Sequence, residues 1–154
     1  MDMPRPTEAD ARLHRLVGRW RGEEYIFPSH FDPKGGPAIG IADNRAALDG
    51  FAIVHDYQQE RGGIVNLRGH GVFRWDRRAS EYVLHWFDSI GSSPGEFRGN
   101  FEGDVLTLAS GDDQGRVRAT WDFSGHGRYR YRMEISPDGE RWFPFMEGDY
   151  TREA

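Results

Sequence analysis

The chemistry of this 154-residue chain has to come from histidine, carboxyl, phenol and guanidinium groups, because the sequence contains no cysteine. Thiol nucleophiles, disulfides and thiolate metal sites are excluded together. The six histidines are scattered, and none stands at a His-x-x-x-His or His/Glu spacing that sets two metal ligands on one face. No Ser or Thr sits in a nucleophile elbow, and no glycine-rich loop opens a helix. Acid–base chemistry is what remains. Glu24, His55, Asp56, Tyr57 and Asp88 supply carboxyl, imidazole and phenol groups, and burial of Glu24 would raise its pKa toward the range useful for proton transfer. An isomerase or hydrolase using Glu24 and His55 as acid and base is one reading of these residues.

Which of these groups meet depends on the elements that carry them. From Arg19 onward apolar residues recur with a period close to two, the signature of half-buried strands. Parity puts Trp20, Gly22, Glu24 and Ile26 on one face of a first strand, and Phe51, Ile53, His55 and Tyr57 on one face of a later one. Val65, Leu67, Phe73 and Trp75 share a face with Gly69 and Gly71 between them, where glycine suits a bend or a close ligand approach. His70 falls opposite that face unless the glycine pair makes a bulge. His85 lies in Tyr82-Val83-Leu84-His85-Trp86-Phe87, apolar on both faces, so parity leaves its direction open. His126 lies at a turn tip, and His14 and His30 lie outside the strands.

Before the first strand, Leu13, Leu16 and Val17 form a single helical stripe over residues 8–17, capped by Thr7 with Asp10 in the capping-box position and released at Gly18. So short a helix must dock to persist. Turn signals follow every 8–14 residues, among them Asp49-Gly50 and Gly62-Gly63. The best-specified hairpin is Arg116 to Ile135. Its two apolar sets point the same way only if the turn holds three residues, Gly125-His126-Gly127. That register sets Phe123 opposite Tyr129, Trp121 opposite Tyr131 and Val117 opposite Ile135, with Asp122 opposite Arg130 and Arg118 opposite Glu134 outside. The row Arg128, Arg130 and Arg132 then faces solvent rather than a bound anion or RNA.

A meander of about ten short strands removes its bare edges most simply by closing. The expected fold is all-β: a closed antiparallel barrel with one short N-terminal helix, a single domain over residues 1–154, its strands over residues 19–152. Aromatic residues make up 14% of the chain, enough to build a core or line a lumen with few side chains. The net charge of −5 gives no general attraction to nucleic acid or an anionic membrane. No apolar run reaches the length of about 20 residues that spans a bilayer. Met1 to Pro6 lack the pattern of a signal peptide, so a cytoplasmic location is expected.

Gly18-Arg19-Trp20 after a short helix resembles the opening of lipocalin-type barrels. The longer Gly18-x-Trp20-x-Gly22 is similar to the haem-binding nitrobindin group of the same calycin class. Leu48-Asp49-Gly50, His55-Asp56-Tyr57, Arg68-Gly69-His70-Gly71-Val72, His85-Trp86-Phe87-Asp88-Ser89 and Ser136-Pro137-Asp138-Gly139 resemble a bacterial family catalogued as domain of unknown function 1579. Glu102-Gly103-Asp104-x-Leu106-Thr107-Leu108 and Met146-Glu147-Gly148 do so too, so the likeness runs from about Leu13 to Arg152. It implies a calycin-like barrel and brings no substrate, cofactor or catalytic residue. The lipocalin likeness implies that Trp20 seals the closed end beneath an arginine of the last strand, here Arg152. The nitrobindin likeness implies haem, held by a histidine on the C-terminal strands, and Trp142 to Arg152 contain none. In fatty-acid-binding barrels an Arg and a Tyr two apart grip a carboxylate. Tyr150-Thr151-Arg152 has that spacing in reverse order.

The leading functional reading is non-covalent binding of a small apolar or aromatic molecule in the lumen, with no cofactor and no nucleic-acid or membrane partner, by a monomer or homodimer. Its walls would be Phe51, Ile53, Tyr57, Phe73, Trp121, Tyr131 and Met133, with Glu24, His55 and His85 as the polar groups. The enzyme and the haem site are the alternatives. A barrel filled by its own aromatics, acting through protein contacts, is a third.

Overall fold

The computed structural model describes residues 1–91, 93–112 and 115–153. Ten strands follow one another: β1 (Gly18–Ile26), β2 (Gly36–Ala47), β3 (Ala52–Arg61), β4 (Ile64–Asp76), β5 (Glu81–Asp88), β6 (Gly95–Glu102), β7 (Val105–Asp112), β8 (Gly115–Asp122), β9 (Arg128–Ser136) and β10 (Phe143–Arg152). Each pairs antiparallel with its neighbour in sequence, and β10 returns to pair with β1, so the sheet closes into a calycin-like barrel without an edge. Residues 113 and 114 of the expected turn before β8 lie outside the described residues.

The β8–β9 register is the expected one. Val117 pairs with Ile135, Trp121 with Tyr131, Asp122 with Arg130 and Arg118 with Glu134. The ladder stops at Asp122, and Phe123 meets Tyr129 only through their rings, 5.4 Å apart. The arginine row faces outward, Arg130 toward Glu147 at 3.4 Å and Arg132 toward Glu134 at 3.9 Å. The β2–β3 turn differs from expectation. Ala47 pairs with Ala52, which keeps the register of an Asp49-Gly50 hairpin, but Leu48 and Asp49 both take left-handed φ angles, 51° and 57°. The reversal therefore takes four residues and Phe51 drops out of the strand.

The N-terminal segment closes one end of the barrel. The helix α1 is shorter than its pattern, Glu8–Arg12, and tightens into a 3₁₀ turn over Leu13–Leu16. The buried Asp10 carboxylate accepts the Thr7 backbone N–H at 2.7 Å and the Thr7 hydroxyl at 3.0 Å. Leu13 and Leu16 sink into the barrel end beside Trp20, Ile53, Phe73 and Leu106. Polar arms tie the segment to the hairpin tips around them: His14 Nε2 lies 3.2 Å from the Gly50 carbonyl, Arg12 donates to Gly103 O at 3.3 Å, and Arg15 donates to Phe123 O at 3.2 Å. So few helical residues hold their shape only because of this docking.

The Gly18–Trp20–Arg152 corner completes the seal. Gly18 has φ +135°, and a Cβ there would meet the Arg152 guanidinium. Trp20 Nε1 donates to Leu16 O at 2.9 Å. Arg152 lies over the Trp20 ring, 4.3 Å from its centroid, and donates to Val17 O. Among the described residues, no helix is long and apolar enough to cross a membrane.

Candidate functional site: an aromatic cavity in the open half of the barrel

Above the packed end the lumen is hollow. A cavity of about 400 Å³ opens between the β1–β2, β3–β4 and β5–β6 loops, with Phe31, Arg61 and Ile90 at its mouth. Its walls come from inward positions of strands all round the ring: His55 and Tyr57, Leu84 and Trp86, Trp121, Tyr131 and Met133. Their spacing of two along each strand is the expected parity, which turns them inward together.

Of the expected ligand-binding residues, the structure places five on this cavity: His55, Tyr57, Trp121, Tyr131 and Met133. Ile53 and Phe73 face inward on the same strands but lie deeper, within the packed core. Phe51 lies outside, its ring 5.5 Å from the Arg77 guanidinium, because the wider β2–β3 turn removes it from the ladder. His85 points out of the barrel, where its Nε2 accepts from Arg74 Nε at 3.0 Å. Trp86 takes the inward place instead. Gly69 serves this indole and not a ligand, since a Cβ there would lie 2.0 Å from the Trp86 ring. No bulge forms at Gly69 and Gly71, so His70 faces solvent and its Nδ1 lies 2.6 Å from Asp56.

Glu24 is a buried carboxyl inside the barrel. It is 4% exposed and sits behind Tyr57, Gln59 and Tyr150 rather than on the open surface. Tyr57 donates its hydroxyl to both carboxyl oxygens at 2.9 and 3.0 Å, Gln59 donates at 3.1 Å, and Tyr150 donates as well. Burial raises the pKa of Glu24, and these three donors partly offset that rise. Burial likewise raises the phenols of Tyr57, Tyr129, Tyr131 and Tyr150, with the nearby Glu24 charge adding to it. Glycine makes the cluster possible: a Cβ on Gly40 would lie 2.3 Å from the Tyr150 hydroxyl and 2.4 Å from the Glu24 carboxyl. The inward place of Gly22 on the Glu24 face was legible from parity. The tyrosine ring around Glu24 was not, because it joins residues from three distant strands.

His55 is 7% exposed, and its protonation is set by two hydrogen bonds in series. Asn44 donates its amide to Leu16 O at 2.9 Å, which leaves its carbonyl oxygen to accept from His55 Nδ1 at 2.6 Å. The imidazole is therefore the Nδ1–H tautomer. Burial pushes its pKa down to about 4. Glu24 and His55 share no hydrogen bond and have separate partners. The Tyr150-Thr151-Arg152 spacing makes no carboxylate clamp, since Tyr150 is held by Glu24 and Arg152 by Trp20 and Val17.

No group of three or more His, Cys, Asp or Glu among the described residues gathers around a point where a metal ion would sit. Where the nitrobindin likeness implies a haem-holding histidine, β10 turns Met146, Gly148 and Tyr150 inward and carries no imidazole.

No curated protein matches the chain in sequence. Among solved structures it is similar in fold to Rv2717c from M. tuberculosis, with a TM-score of 0.72, 13% identity, and 96% of this chain and 99% of that one covered. It is also similar to the S-type phycobiliprotein lyase CPES from Guillardia theta, with a TM-score of 0.59, 12% identity, and 97% and 99% covered. At such identities the likeness is one of fold. Residues 5–152 match the family described as "Protein of unknown function (DUF1579)", and the chain belongs to that family.

Proposed function

We propose that this protein is a non-catalytic binder of a small apolar or aromatic molecule, held in the open half of the barrel. The observation that carries the reading is the cavity of about 400 Å³ walled by Tyr57, Trp86, Trp121, Tyr131 and Met133, with one imidazole among them. A mostly apolar cavity with few convergent polar groups is what a small-molecule site requires. Exposed Phe31 and Ile90 stand at the mouth, and such a rim eases the entry of an apolar molecule. The neighbour of like fold is named as a phycobiliprotein lyase, which agrees with a binding barrel without naming a ligand. Enzyme chemistry by Glu24 and His55 would need the two to converge on one open point, and the Glu24 carboxyl is instead taken up by Tyr57, Gln59 and Tyr150. We place the protein in the cytoplasm as a single-domain monomer or homodimer, in keeping with its acidic balance.

Native mass spectrometry of protein purified from its own host, with naphthalene titration by calorimetry, tests this. Uptake of one naphthalene per chain with a negative heat-capacity change supports the reading. Ala119→Leu, which pushes a branched side chain into the lumen, lowers that affinity at least about tenfold while the protein stays folded. Absence of any apolar ligand in both experiments overturns it.

A further inference from the structure

We propose that the lumen selects an uncharged aromatic molecule bearing a hydroxyl or N–H group, which donates a hydrogen bond to Nε2 of His55. The inference rests on the binding reading above and adds the polar chemistry of the ligand.

The argument is an account of the cavity's polar groups. With Nδ1–H given to Asn44, Nε2 carries a lone pair and no proton. It has no hydrogen-bond partner among the described residues. Every enclosed side-chain nitrogen and oxygen of those residues does have one, so this nitrogen opens onto the cavity that His55 lines. Once an apolar ligand displaces solvent from this aromatic pocket, an acceptor to which the ligand donates nothing costs free energy. The other polar groups of the wall are either committed or undemanding. Gln59 donates to Glu24 and accepts from Asn66 at 3.0 Å. Trp86 donates to Asp88 at 3.1 Å. The hydroxyls of Tyr129 and Tyr131 act as donor or acceptor as required, and the Trp121 indole N–H suits an ether or carbonyl oxygen elsewhere on the ligand. His55 is the group that makes a demand.

Charge selects against anions. Arg61 is the guanidinium on the cavity wall, and it is held by Asp32 and by the Gly35 carbonyl at 2.6 Å. No uncommitted cation faces inward among the described residues, and the Glu24 carboxyl lies just behind Tyr57 and Tyr150. A carboxylate entering this lumen would lose its hydration and gain no counter-charge.

The test is calorimetric titration of the full chain at pH 7 with naphthalene, 2-methoxynaphthalene, 2-naphthol and 2-naphthoate. The expected result is that 2-naphthol binds about tenfold tighter than 2-methoxynaphthalene, the yield of one buried hydrogen bond. The anion 2-naphthoate should bind weakest. In His55→Phe the gap between the naphthol and its methyl ether closes. Equal affinity of 2-naphthol and 2-methoxynaphthalene for the native protein overturns the inference and leaves the apolar-binding reading standing. Preference for 2-naphthoate overturns it also. If none of the four binds, the binding reading itself has failed. The native-protein comparison decides the matter whether or not His55→Phe folds.

Discussion

Glu24 and His55 respond to pH in opposite directions, and each leaves a separate mark on stability. Glu24 has a folded-state pKa raised above 4.5 by burial, so the folded chain holds this proton more tightly than the unfolded one. Its contribution is full below pH 4.5 and is lost as pH rises through the folded pKa. Glu24→Gln keeps the shape and an acceptor for Tyr150 and removes the titration. In urea unfolding followed across pH, this variant should lack the loss of stability that the native protein shows on the alkaline side of pH 4.5. His55 has its pKa lowered from 6.5 to about 4, so it stays neutral when folded and takes up a proton on unfolding. Its contribution is full above pH 6.5 and is lost as pH falls toward 4, a change of about 3 kcal/mol at most. His55→Gln should flatten that acid limb in the same titration. A parity reading found both residues. It could not find that one lies behind the wall and the other on it, because depth along the barrel axis is invisible to a period of two.

At the level of elements, the β8–β9 ladder was legible because two constraints agreed. Apolar sets had to point one way, and opposite charges outside had to meet, and a single register satisfied both. The charges set the register more than they strengthen it. Arg118 and Glu134, 3.1 Å apart and partly solvated, should show a coupling below about 1 kcal/mol in a double-mutant cycle. The N-terminal segment carries more. Leu16 is 1% exposed at the closed end, and Leu16→Ala should lower the unfolding free energy by about 2–5 kcal/mol, measured by denaturant titration. Its helix length was overread, since residues 8–17 share one stripe but the chain must tighten after Arg12 to reach Trp20 and Asn44. The placing of Phe51 on the wall failed, and the direction of His85 stayed open, for local reasons too. Two left-handed residues widened one turn, and a strand apolar on both faces hid its own inside.

Across the whole molecule, hollow and solid halves share one ring of strands, and the same alternation writes both. Ile53 and His55 stand two residues apart on β3, one in the solid half and one on the cavity. Sequence gives the ring and its inward faces. The hollow arises from how side chains from nonadjacent strands fill each height, with Ala42 and Ala119 leaving space that larger residues would take. The joint between β1 and β10 sets when that space comes into being. Glu24 bonds to Tyr150 across it, 126 residues along the chain. Until that joint forms, the carboxyl is wetted by solvent and the aromatics have no far wall. Contacts of such long sequence separation come late and slowly in folding. A guest of the proposed kind would have nowhere to lodge in a half-made barrel, so it would enter after folding, through the mouth, rather than serve as a template for the folding itself.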